Sequence, residues 1–399
     1  MKKFTILMSL ILLTVITGSV FANNVKINDI NFPGKFYTTE ITSCKAMKDT
    51  PTFTDSFSIK KVEGLIGYDW HADWEANSTS MSVKSRKIRV PIEALMAGTQ
   101  NAISNNNQAN IDIAKNLLID LAKADTLYDS IGFYEVKKKP MCYANGDINA
   151  PCWFHQYQEV ADVISNYMIN AIWLRDELNE QEFEIVDQYI KKMYVKFLKP
   201  IENFLPEWGY GALANGGTGI LSYASWTNNK ELAAEEINFR FKEMDSLFYE
   251  DGYINNNSFR GYRAQMYHSM GLNSALGYVY IAKLWGAEVP EELQNKLVKA
   301  SEVANLAITD YDKFTSRKYN GTQSNAIEDP KNAVKYTHPG AWGIDTLMKI
   351  VTGVELEYDA EYVWKRKNNG LWYGAQGKVP NAIDIMIGFN PNCILERSK

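Results

Sequence analysis

The chain has 399 residues, 46% of them hydrophobic and 13% aromatic, with a formal net charge of −5. That length holds one large domain or two moderate ones with a sizeable core. The acidic balance offers no basic face to neutralise a phosphate backbone, which excludes nucleic acid as a partner; an anionic ligand stays open where the few cations gather in one cleft.

The chain starts MKKFTILMSLILLTVITGSVFANN. Lys2 and Lys3 make a charged start, Phe4 to Val20 is mostly apolar, and Val20-Phe21-Ala22 suits cleavage. We therefore expect a signal peptide over residues 1–22 and a periplasmic or secreted protein. The apolar core is short for a spanning helix, and no second apolar run follows, so no membrane association is expected after cleavage. An exported chain meets oxidising conditions, and Cys44, Cys142, Cys152 and Cys393 can form two disulfides in three pairings. Cys142 and Cys152 bracket the turn-rich stretch YANGDINAP, so a local bridge is expected there, which leaves Cys44 for Cys393. Peptide mapping without reductant should recover Cys142 linked to Cys152; free thiols at both positions would remove the bridge.

Residues 23–87, with Pro33, Gly34, Pro51, Gly64 and Gly67, read as an irregular N-terminal segment. Within it, Asp69–Glu75 (DWHADWE) has one histidine and no second ligand cluster, and the chain has no Cys-x-x-Cys, so no metal site is expected. The run Ser82–Arg89 (SVKSRKIR) carries Lys84 and Arg86 ahead of the first long helix. From residue 88 to 399 the pattern is helical. PIEALMAGTQNAIS and ANIDIAKNLLIDLAKA space their apolar residues for helices, as do Val160, Val163, Ile164, Tyr167, Met168 and Ala171. Asn179 and Glu182 make a capping box for a helix ending before Pro200. Further helices are expected over 217–227, 231–248, 259–285, 290–308, 340–352 and 380–388, with alternation only near Asp359–Lys365. The reading is all-α, built of helical hairpins that close into an (α/α) toroid or incomplete barrel.

One stretch holds unusual chemistry. In SFRGYRAQMYHSMG, residues 258–271, a helix capped by Ser258 would line Arg260, Arg263 and Tyr267 along one stripe of about 10 Å, with His268 rotated by about 100°. Guanidinium groups stabilise a phenolate, so a tyrosine in that company can exchange protons near neutral pH, and they also bind carboxylates bidentately. A carboxylate held beside a proton-transferring tyrosine suits β-elimination from a uronic acid. The plainer alternative pairs the arginines with Glu235, Glu236 or Asp245 on the preceding helix.

RGYRAQMYH, with DGYI before it and GLNSALGYVYIAKLWG after it, resembles the alginate lyase superfamily, specifically its mannuronate-lyase type. Every fixed position of that family's Arg-Gly-x-Arg-Ala-x-x-Tyr-His pattern matches, and the resemblance spans about 150–355, most strongly 250–285. It implies an α/α toroid, catalytic roles for Arg260 and Tyr267, support from Arg263 and His268, no organic cofactor, and an anionic polysaccharide or oligosaccharide as substrate. It also implies a basic lid in which Lys84 and Arg86 clamp polymer carboxylates. The family's Asn-Asn-His motif on the preceding inner helix falls at WGYGALANGGTGILSYASW, residues 208–226. There Asn215 stands for the asparagine that holds the carboxylate, while Gly216 and Gly217 stand where a histidine base is expected. Trp208, Tyr210 and Trp226 are candidates to stack on sugar rings, and His155 or His338 to replace the imidazole. A glycoside hydrolase would instead need two facing carboxyl groups, for which Asp251 with Glu235 or Glu236 are the nearby choices.

Overall fold

A computed structural model describes residues 25–33, 35–36, 53, 56–68, 81–129, 154–199, 216–260, 264–318, 344–357 and 388. Among them are eleven α-helices: α1 Ser56–Glu63, α2 Met81–Ser104, α3 Gln108–Lys123, α4 Phe154–Leu174, α5 Glu180–Met193, α6 Gly216–Thr227, α7 Lys230–Leu247, α8 Ala264–Leu284, α9 Glu291–Thr309, α10 Tyr311–Ser316 and α11 Ile344–Thr352. Among the described residues an isolated antiparallel bridge joins Phe248 and Ile254, and Lys35 is also a bridge residue, but no strand forms, so the protein is all-α. No helix among them is long and apolar enough to cross a membrane.

The hairpins owe their sharp turns to asparagine. After α2, the Asn106 N–H bonds to Ile103 O and the Asn107 N–H to Ala102 O, a Schellman closure with Asn106 at φ +55°. Asn107 then caps α3 by accepting from the Asn110 N–H at 3.2 Å. Asn228 and Asn229 repeat the device between α6 and α7, with Asn228 at φ +53° and Asn229 accepting from Leu232 N–H. The first asparagine tolerates the left-handed conformation, and the second supplies the side-chain acceptor that a helix start needs. The expected capping box of α5 is present, with Asn179 accepting from the Glu182 N–H at 3.0 Å and Glu182 accepting from the Asn179 N–H at 2.9 Å.

Packing follows alternate helices. α1, α2, α4 and α6 lie side by side in one row, while α3 packs on α5, α7 on α9, and α8 on both α9 and α11. α4 is buried on every side from Val160 to Leu174, enclosed by α2, α3, α5 and α6. Its Tyr167 donates to Leu118 O of α3 at 2.9 Å and meets the Tyr189 ring of α5 edge-on at 5.0 Å. Trp285, just after α8, anchors the N-terminal segment between Phe32 and Phe36, with its indole N–H on Phe36 O at 2.8 Å.

Two expectations change here. The N-terminal segment expected to be irregular through Lys87 contains α1 and the first turns of α2, which runs through Pro91 back to Met81. Lys84 and Arg86 therefore sit on a helix and not on a lid loop. In the same run Arg89 turns inward and pairs with the buried Asp162 of α4. Apolar spacing was weak ahead of Pro91, and proline there reads locally as a helix start. The four cysteines, Asp69–Glu75, the stretch 359–365 and residues 380–387 lie outside the described residues.

Candidate functional site

The site is built around the turn that joins α7 to α8. Leu247 O accepts from the Asn255 N–H at 2.8 Å, and Tyr249 N–H donates to Tyr253 O at 2.9 Å, closing a tight reversal through Asp251 and Gly252. Gly252 has φ +86°, and a Cβ placed there would stand 2.3 Å from Lys299 O of α9. The acidic-glycine turn is thus pressed against the α9 backbone, which only glycine permits. Arg317, just beyond α10, covers the turn from outside. Its guanidinium lies 4.8, 5.0 and 5.1 Å from the ring centres of Tyr249, Tyr253 and Phe259, and it pairs with Asp251.

Asn257–Phe259 then form one 3-10 turn, and Arg260 leaves it at φ −99°, ψ 35°. The continuous helix expected from Ser258 is interrupted here, and α8 begins at Ala264. Ser258 does not cap α8; its hydroxyl accepts from the Ile254 N–H at 2.7 Å and contacts His268 Nδ1 at 2.8 Å. Arg260 and Tyr267 nevertheless meet, with the guanidinium carbon 4.3 Å from the centre of the phenol ring and both side chains partly exposed. That contact is a cation–π stack, and it presents a positive group and a hydroxyl-bearing ring on one accessible surface.

His268 is fully buried and turns into the wall, with Nε2 2.9 Å from Ala300 O of α9. It cannot touch a substrate, which corrects its expected place among the binding residues. Burial pushes its pKa down from 6.5 to about 4, against a smaller upward pull from the Ala300 carbonyl. The unfolded chain therefore takes up a proton as pH falls through about 6.5, and the folded chain does so only near 4. Between those values the unfolded state binds more protons, so this group's contribution to stability falls on acidification, by on the order of 3 kcal/mol in all. We expect the urea midpoint of His268→Gln to fall less steeply than that of wild type between pH 6.5 and pH 4; parallel curves would show that His268 is not buried as a neutral ring.

Of the carboxylates that could have occupied the site arginines, or served a hydrolase, Glu236, Asp245 and Asp251 are engaged elsewhere, and Glu235 is exposed on α7. Glu236 and Glu243 bond Arg240 within α7 at 2.6 and 2.9 Å, Asp245 pairs with Lys296 at 2.8 Å, and Asp251 holds Arg317. Trp226, a candidate sugar platform, is a core residue. Its indole N–H donates to Asp187 at 3.0 Å, and its ring stacks on Phe183 and under Arg175. Gly216 opens α6, and His155 is the second residue of α4. Asn215, Trp208, Tyr210, Arg263 and His338 lie outside the described residues, as do the side chains of Lys84, Arg86 and His155. Among the described residues no group of His, Cys, Asp and Glu is arranged to hold a metal ion.

The sequence reading missed Asn257 and Arg317. Asn257 sits in a run of three asparagines that reads as loop, and its bond to Tyr267 O at 2.8 Å reaches across ten residues. No local pattern marks either contact. No protein-family model matches the chain, and no curated protein is significantly similar to it.

Proposed function

We propose that this chain is an exported polysaccharide lyase that cleaves a uronate-containing polymer, mannuronan or glucuronan, by β-elimination, on an (α/α) toroid. The observation that carries the reading is the stack of Arg260 on Tyr267 at 4.3 Å, both partly exposed, inside the stretch that resembles mannuronate lyases. Arg260, with Asn215 and Arg263, binds the C5 carboxylate and disperses the charge that builds up as the C5 proton leaves. Tyr267 takes that proton and returns one to the departing O4. His155, Trp208 and Tyr210 line the sugar path, and Lys84 and Arg86 attract the polymer.

One feature favours a second reading, a non-catalytic uronate-glycan-binding protein: Gly216 and Gly217 occupy the place of a histidine base. Ultraviolet absorbance of the 4,5-unsaturated product separates the two, because only elimination makes that double bond. With one tyrosine as base and then acid, polymers whose C5 proton and O4 leave from the same face should be cleaved, and guluronan should be poor. His155→Ala and His338→Ala should each keep the rate within about tenfold, less than the usual loss of an acid–base group. Strong guluronan cleavage, or collapse of activity in either variant, would mean that a displaced imidazole serves as base.

A further inference from the structure

We propose that Asn257, Ser258 and His268 are positioning residues that set Tyr267 against Arg260 by latching the α7–α8 turn to the first turns of α8 and to α9; as a role in catalysis this rests on the lyase reading above. The need for a latch follows from the break in the helix. Were Arg260 helical, the seven-residue spacing would put it on the same stripe as Tyr267 but about 10 Å away along the axis. Arg260 instead lies outside α8, so helix geometry alone does not relate the two side chains.

Four bonds supply that relation. Asn257 donates its amide to the Tyr267 carbonyl at 2.8 Å. His268 Nε2 sits 2.9 Å from Ala300 O, and a carbonyl can only accept, so this nitrogen carries the proton. Nδ1 is then the acceptor for the Ser258 hydroxyl at 2.8 Å, and that hydroxyl in turn accepts from the Ile254 N–H at 2.7 Å. The chain of donors thus runs in one direction from the turn, through α8, to α9. All three side chains are at least nine-tenths buried, where such bonds gain strength from the low dielectric. Ser258 stands two residues before Arg260, and His268 one residue after Tyr267, so the latch grips both sides of the pair. The low pKa of His268 keeps the ring neutral, and the latch intact, at neutral pH.

The test uses the mature protein with Asn257→Asp, which turns the donor into an acceptor facing the Tyr267 carbonyl, and with Ser258→Ala and Ser258→Thr. Two readouts are taken: kcat against KM on mannuronan, and the NMR shift of the Arg260 side-chain N–H, which lies in the ring current of Tyr267. We expect Asn257→Asp and Ser258→Ala to lose about tenfold to 10²-fold in kcat, the cost of an ångström-scale misplacement, with KM changed less than about threefold. The Arg260 signal should move toward its position in Tyr267→Leu, and Ser258→Thr, which keeps the hydroxyl, should restore both. Unchanged kcat and an unmoved Arg260 signal in folded variants would overturn the proposal. So would a wild-type nitrogen spectrum showing His268 protonated at Nδ1, or charged at neutral pH, and that measurement decides the matter if the variants do not fold. If the wild type makes no unsaturated product the lyase reading fails, while the Arg260 signal still decides whether the latch sets the pair.

Discussion

Tyr267→Phe is expected to keep its fold and its affinity for polymer and to lose at least about 10²-fold in elimination rate, the usual deficit when a general acid–base group is removed. The ring packs partly buried against the main core and under the Arg260 guanidinium, and phenylalanine preserves both contacts. Only the hydroxyl is lost, and on the proposed mechanism it carries the proton in both directions. The deficit should therefore fall on kcat, with KM and the thermal midpoint nearly unchanged. A Phe variant cleaving near the wild-type rate would make Tyr267 a structural residue and leave the glycan-binding reading in its place.

Gly252→Ala should be the most damaging single methyl near the site. Its φ of +86° is costly for alanine, and the new Cβ would meet Lys299 O at 2.3 Å and Ala300 N at 2.8 Å, both backbone atoms of α9. Left-handed backbone costs about 1–2 kcal/mol and overpacking about 1–3 more, so a loss of roughly 3 kcal/mol is expected. Gly67→Ala is the control: Gly67 has φ +65° with nothing within 4 Å of a built Cβ, so it carries the backbone cost alone. Urea unfolding of both variants measures the difference. Equal losses would show that the turn can draw back from α9, and that the close approach does not hold the site together.

Much of the fold was legible because its causes are local. The apolar spacing of α4 and the Asn179–Glu182 capping box lie within a few residues of what they specify, and both are present. The helices expected over 217–227, 231–248 and 290–308 are found within a residue at each end, with Asn228 and Asn229 marking the junction of the first two and Pro290 the start of the third. The pairing of Arg260 with Tyr267 was legible too, though not for the reason the spacing suggested. A seven-residue interval on one helix would only align them on one face about 10 Å apart, whereas a non-helical Arg260 lets the guanidinium stack on the ring.

What stayed hidden depends on partners far along the chain. Ser258 has the residue type of a helix cap, but His268 and the Ile254 N–H claim its hydroxyl, and that competition exists only once the turn has folded back. His268 looked like a neighbour of the site until α9 supplied the Ala300 carbonyl, forty-two residues beyond Ser258, that draws its ring into the wall. Within one basic run, Arg89 is buried because Asp162 of α4 faces it. By itself the sequence determined an all-α chain, most helix limits, and a tyrosine with an arginine beside it, because periodicity, caps and motif spacing act over a few residues. Only the tertiary structure decided which polar side chains face solvent and which hold the framework, because burial and hydrogen-bond choice are set by helices that meet across long stretches of chain.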